Sequence, residues 1–188
     1  MIKNTEKSFG SVARLFHWGM FLLFVVQFIG AEIMDDMSKT ETLLGFGKYD
    51  LYGVHKSIGV LLLAFVFMRL AWKLSNPTPV YPGWMNKMQK LAADAGHWGL
   101  YVIMFAMPIT GYVMSMAGGH GIKFFGLWNL PNFVGLNEEL ADVAHELHGV
   151  IADVMLVLVG VHIAAALYHH IVKKDDVLKR MKPFSKVE

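Results

Sequence analysis

The 188-residue chain contains no cysteine. That excludes disulfides, thiolate-bound iron–sulfur clusters and covalently attached c-type haem, so any redox chemistry must use a cofactor held by histidine or methionine. Charge is scarce as well. Only 17% of residues are charged, against about a quarter in a typical soluble domain. What the chain has instead is 55% hydrophobic residues and a mean hydropathy of +0.43, a balance that points to the membrane.

Four apolar stretches reach bilayer-spanning length, at 12–34, 54–74, 96–116 and 145–172. They leave no room for a separate soluble domain and show no internal repeat, so residues 1–188 read as a single all-α domain, an integral membrane four-helix bundle. The first stretch follows basic residues, as a signal peptide would, but its apolar core is long and GAEIM offers no good small-x-small cleavage site. It is expected to be retained.

Basic residues near the span ends set the expected orientation. Lys3, Lys7 and Arg14, then Arg69, Lys73, Lys87 and Lys90, then Lys173, Lys174, Lys179, Arg180, Lys182 and Lys186 fall on one side. The other side has only Lys39, Lys48, Lys56 and Lys123. Both termini are therefore expected in the cytoplasm. The basic stripe is a topology signal facing lipid, and no nucleic-acid partner is inferred from it. A net charge of only +2 conceals this asymmetry.

Histidine inside a span is costly and is by default a functional hypothesis. A lone one is about as often a hydrogen-bonded packing residue; a set at matching depths is not. Following the spans across the bilayer places His55 and His148 near the outer surface and His17, His97 and His162 near the inner one. On the fourth helix His148 and His162 are 14 residues apart, a rise of about 21 Å and roughly 40° short of whole turns, so both rings face one side. His145 sits about 100° away from His162. His169 shares the face of His162 roughly 10 Å further along, at the surface.

Histidines on facing helices at two depths suit haem b, whose iron takes two axial imidazoles, and helix bundles build cofactor sites in this way. Spacing alone leaves the inner pair open among His17, His97 and His162. Gly59, one turn from His55, and Gly160, just before His162, would let a flat ring or a neighbouring helix approach. A metal transporter is the competing use of membrane histidines, but such a path usually recruits intramembrane carboxylates, and only Asp153 lies well inside a span. Asp153 is expected to hydrogen-bond within the bundle or to join a proton path.

RLFHW (14–18), HKSIG (55–59), HWGLYVIMFAMPITGY (97–112), HGVIADVMLVLVGVH (148–162) and AAALYHHIVKKDDVLKRM (164–181) together resemble the bacterial cytochrome b561 family. The resemblance covers all four spans, and the last run is its most specific part. It implies two haem b groups, with His17 and His162 as iron ligands on the cytoplasmic side and His55 and His148 on the periplasmic side. His97 would then be a neighbour of the inner haem or of a quinone, not a ligand. His120, His145 and His170 are given no role.

The resemblance also implies electron exchange between ubiquinone and a periplasmic partner, with superoxide as donor in at least one branch of the family. His169 and Arg69 or Lys73 are candidate ubiquinone neighbours, a basic group there stabilising reduced-quinone charge. Arg14, one turn before His17, is a candidate partner for a haem propionate. Interfacial anchoring is the plainer use of all three basic residues. Acidic residues outnumber the four outer lysines, which disfavours steering of a superoxide anion and favours a periplasmic redox protein, although Lys56 and Lys123 form a local basic spot. The aromatic stretch 118–135 would cover the outer haem, dock a protein or anchor at the interface. The main alternative is a cytochrome b anchor subunit linking a periplasmic dehydrogenase or hydrogenase to the quinone pool.

Overall fold

A helix in water begins where a side chain can satisfy its first free N–H groups, and these caps set the helix starts here. Asn86 and Gln89 bond reciprocally, each side-chain oxygen accepting the other's backbone N–H at 2.9 Å. Asn137 Oδ1 accepts the N–H of Leu140, and Glu138 and Glu139 follow in the first turn, where negative charge opposes the helix dipole. In the computed structural model, which describes residues 1–183, four long helices result. They are α1 (Ser11–Asp36), α2 (Lys48–Ser75), α3 (Lys87–Ala117) and α4 (Glu138–Tyr168).

All four are long and apolar enough to cross a membrane. Their large apolar side chains point outwards, with Leu15 at 74%, Val102 at 65% and Val157 at 65% exposed. A soluble fold could not leave such residues in water; hydrocarbon welcomes them, and a helix satisfies its own backbone there. The helices overrun the apolar stretches, most of all α3, which starts nine residues before position 96, because its cap lies in the polar loop. Lys186 lies outside the described residues.

Packing divides the chain into two compact units. The first comprises Met1–Gly19, Phe65–Met104 and the residues from Ala152 on; the second comprises Met20–Ala64 and Phe105–Ile151. Within the first, an N-terminal arm is laced to the 76–86 loop. Asn4 donates to Pro77 O and accepts from Gly10 N–H, and Val80 N–H donates to Glu6 O. A Cβ on Gly10 would stand 2.1 Å from Ile2 O, so only glycine fits that approach. The C-terminal segment returns to the same place: Trp18 Nε1 donates to Met181 O and Arg180 Nη1 to Val80 O.

Within the second unit both connections carry a short hairpin, which hydropathy does not foreshadow. β1 (Thr42–Leu43) pairs with β2 (Phe46–Gly47), and β3 (Lys123–Phe124) with β4 (Trp128–Asn129), both antiparallel. Ser57 of α2, fully buried, ties down the second hairpin: its hydroxyl donates to Gly53 O at 2.7 Å and accepts the N–H of Phe125 at 2.8 Å. Lys56 Nζ donates to Gly121 O next to it. Ser57→Ala leaves the Phe125 N–H unpaired, at a cost of about 1–3 kcal/mol. The expected result is a lower melting temperature in detergent and faster proteolysis at 122–130; an unchanged cleavage rate would mean that Ser57 does not hold the hairpin.

Candidate functional site

In the second unit, α2 and α4 bring His55 and His148 together, with ring centroids 6.5 Å apart and planes at 69°. Thr110 of α3 orients His148. Its hydroxyl has one proton and two carbonyl acceptors, Ala106 O and Met107 O, both at 2.9 Å. The oxygen therefore accepts from His148 Nδ1–H, 3.1 Å away, which leaves Nε2 with its lone pair free to bind a metal. Gly111 makes the space, since a Cβ there would come within 3.1 Å of the His148 ring. On the His55 side, Gln27 Nε2 donates to the backbone oxygen at 2.9 Å, while the buried ring Nδ1 has no hydrogen-bond partner. Thr110, Gly111 and Gln27 were not singled out in the sequence; the PITGY run containing the first two was the only hint.

In the first unit every helix contributes one side chain to a cluster: His17, Arg69, His97 and His162. His162 lies 6.1 Å from His17 and 5.7 Å from His97, centroid to centroid. Arg69 Nη2 is 3.1 Å from His17 Nδ1, and its guanidinium stands 5.7 Å over the Tyr101 ring. Arginine only donates, so His17 Nδ1 accepts and the ring proton sits on Nε2. Holding a metal through Nε2 requires that proton to shift and the guanidinium to turn away. Arg14 lies half-buried one turn before His17, and Lys73 stands over Trp98.

The donor sets can be tested against haem. An imidazole nitrogen binds a transition metal at about 2.0–2.1 Å and lies roughly 1.1 Å from its ring centre, so two trans ligands hold their centroids about 6.3 Å apart. His55–His148 at 6.5 Å and His17–His162 at 6.1 Å lie on either side of that value, and His97–His162 at 5.7 Å falls short. No group of three or more His, Asp or Glu able to hold a bare ion occurs among the described residues. Two imidazoles per site suit a metal whose other ligands come from a ring. The second-unit pair fits the group as it stands, and the first-unit pair would fit once Arg69 releases His17 Nδ1.

Residues 8–184 match the family described as prokaryotic cytochrome b561. The chain belongs to the prokaryotic cytochrome b561 family. It is 35% identical over 178 residues to cytochrome b561 homolog 2 of Escherichia coli (strain K12), covering 95% of this chain and 93% of that one. It is 30% identical to the probable superoxide oxidase CybB of Yersinia pestis (89% and 91% covered) and 30% identical to cytochrome b561 homolog 1 of Escherichia coli (89% and 92%). A prokaryotic cytochrome b561 is a multi-pass membrane protein of transmembrane electron transfer, from a family that carries haem.

The remaining sequence candidates fall elsewhere in this cytochrome b561. His120 and His145 are exposed. Gly160 faces open space, and a Cβ on Gly59 would make only an ordinary 3.6 Å contact with Gln27, so neither glycine makes room for a close neighbour in the fold. Asp153 is exposed on α4 and makes no side-chain hydrogen bond among the described residues, so it is not a partner within the fold. A cavity of about 180 Å³ opens beside the first-unit cluster, lined by His97, His162, His169 and Tyr81 on small residues such as Gly96 and Ala165.

At the cavity's edge α4 loosens into a π-helical turn, His169–Lys173, closed by Lys174 in the left-handed region. This brings Asp175 back to His169, with Nδ1 to Oδ2 at 2.7 Å. Burial pushes the Asp175 carboxyl up, but hydrogen bonds from His169, the Val177 N–H and Trp84 outweigh it and hold the group below the usual carboxylate range. A depressed carboxylate contributes stability above its unfolded value, and that contribution is lost as pH falls through the folded one. Infrared titration of isotope-labelled aspartate should show a carboxylate that resists protonation below the ordinary range and does so no longer in His169→Gln.

Proposed function

We propose that this cytochrome b561 holds two b-type haems, one between His17 and His162 and one between His55 and His148, and exchanges electrons between ubiquinone and a periplasmic-side donor. The observation that carries the reading is the pair of inter-helix imidazole separations, 6.1 and 6.5 Å. They match what bis-imidazole ligation of one iron asks of two rings. The haems, when bound, supply reversible one-electron chemistry.

The protein's own residues do the rest. Thr110 fixes the tautomer of His148, and Gly111 leaves its ring room. Arg69, buried among the first-unit histidines, brings a positive charge that favours negative charge beside it, whether a propionate or a reduced quinone oxygen. Arg14 is assigned to a propionate. The cavity bordered by His97, His162 and His169 takes the ubiquinone head group, its small residues leaving space for a flat ring. The basic span ends support an inner-membrane orientation with both termini in the cytoplasm.

For the donor, Lys56 and Lys123 put local positive charge next to His55, which suits a small anion such as superoxide. The surrounding Glu41, Asp50, Glu138, Glu139 and Asp142, all exposed, oppose it. The likeness to a protein named a probable superoxide oxidase makes superoxide the first donor to test. The anchor-subunit reading has one observation in its favour: the second hairpin exposes Phe125, Leu127 and Trp128, a surface a periplasmic dehydrogenase could cover. Co-purification of such a subunit would support it.

Reduced-minus-oxidised spectra with haem quantitation should give two b haems per chain. His55→Ala and His148→Ala should each remove one, His17→Ala and His162→Ala the other, and His145→Ala neither. A chain without haem would end the proposal, and loss of the inner haem in His97→Ala but not in His17→Ala would reassign the ligand. Pulse-generated superoxide should reduce the haems and then added ubiquinone; no haem reduction would exclude superoxide as donor.

A further inference from the structure

The run HHIVKKDDVLKR is the most distinctive piece of the chain, yet electron transfer uses only its first histidine. The structure shows what the rest builds. A regular α-helix would carry Asp175 away from His169, six residues earlier. The π-helical turn and the left-handed Lys174 fold the chain back, with Asp175 N–H donating to His169 O at 3.2 Å. The two side chains then meet at 2.7 Å, only 14% and 15% exposed. The carboxylate's other oxygen accepts the Val177 N–H at 3.0 Å. Trp84 from the α2–α3 loop packs against the imidazole, ring centroids 5.4 Å apart, and Lys173 Nζ stands over that indole at 4.5 Å.

We propose that Asp175 is the positioning residue of His169 and that the pair passes a proton from the aqueous phase to the cavity. This rests on the reading of that cavity as the ubiquinone site. A carboxylate on Nδ1 keeps the proton there and turns Nε2 to the remaining side of the ring. Because His169 lines the cavity, that side is where a quinone oxygen would sit.

The other titratable groups nearby suit the task less well. Tyr81 lines the cavity, but its hydroxyl donates to Asp94, and burial together with that bond pushes the phenol up, so it holds its proton. His97 and His162 belong to the cluster proposed to face the haem. Lys173 is stacked on Trp84 and Tyr168, and His170 is the neighbouring residue on the turn. Among the described histidines that line the cavity, His169 is the one hydrogen-bonded to a carboxylate.

In balance, ubiquinone becomes ubiquinol by gaining two electrons and two protons. The haem, when bound, would supply the electrons. His169 supplies one proton: its Nε2–H bond breaks as an O–H bond forms on the quinone, and water then restores the proton to Nε2. The Nδ1–H bond stays on His169 and donates to Asp175 throughout. Water supplies the second proton.

The test is stopped-flow reoxidation of the reduced, haem-replete protein by a short-chain ubiquinone across a range of pH. Asp175→Asn should keep both haems and a KM within about twofold, while kcat falls about tenfold or more, within the range that a positioned acid contributes. Asp175→Glu should restore most of kcat.

Ring ¹⁵N NMR of the dithionite-reduced protein gives a readout independent of turnover: Nδ1–H for His169 in wild type, lost in Asp175→Asn. An unchanged kcat in Asp175→Asn would overturn the proposal, as would a His169 tautomer indifferent to that substitution. Equal losses of kcat in the Asn and Glu variants with the Nδ1–H signal kept in both would make Asp175 merely structural, which also overturns it. Wild-type protein that ubiquinone does not reoxidise would instead bring down the quinone reading itself, and this proposal with it.

Discussion

An imidazole placed in a lipid-spanning helix must find its partners inside the protein, because hydrocarbon offers none. Much of this cytochrome b561 follows from that constraint. His148 meets Thr110 and His55; His17 meets Arg69 and His162. These contacts join different helices, so they fix which faces turn inwards. The large aliphatic residues are left to face lipid, where they cost nothing. The small number of fully buried side chains, among them Met20, Met116, Met155 and Val66, is what such an economy produces.

The two histidine sets differ in their surroundings. In the second unit a neutral hydroxyl fixes the tautomer of His148, and one ring nitrogen of His55 stays unpaired. In the first unit a guanidinium lies against His17. Hydrogen bonding and charge around the groups that hold a redox cofactor are among a protein's means of setting its potential, and a positive charge beside such a cofactor favours its reduced state. A cavity bordered by His97, His162 and His169 adjoins this same cluster.

The helices and the grouping of the histidines into two sets were legible because hydropathy and helix geometry are properties of a single segment. Their ends were less so. Hydropathy registers the stretch that lipid can cover, whereas α3 and α4 begin at the Asn86 and Asn137 caps outside it. The hairpins at 42–47 and 123–129 were invisible for a related reason. They are two-residue strands with Leu44 and Phe125 at positive φ, which non-glycine residues adopt only when their surroundings hold them there. For the second hairpin the buried Ser57 hydroxyl provides part of that hold.

Family membership was readable in the motifs, and so were the four spans, the scarcity of charge and the division of the histidines into two groups. Each depends on residues close together in the chain or on one helix face. Which imidazoles meet, and what stands behind each, was decided only by tertiary structure. His162 meets both His17 and His97, at 6.1 and 5.7 Å between ring centroids, and helix spacing cannot place rings on other helices. Thr110 behind His148, Arg69 against His17, and Asp175 folded back onto His169 depend on helix rotation, rotamers and one π-helical turn. Those are settled by packing in three dimensions, to which the order of residues along a segment is blind.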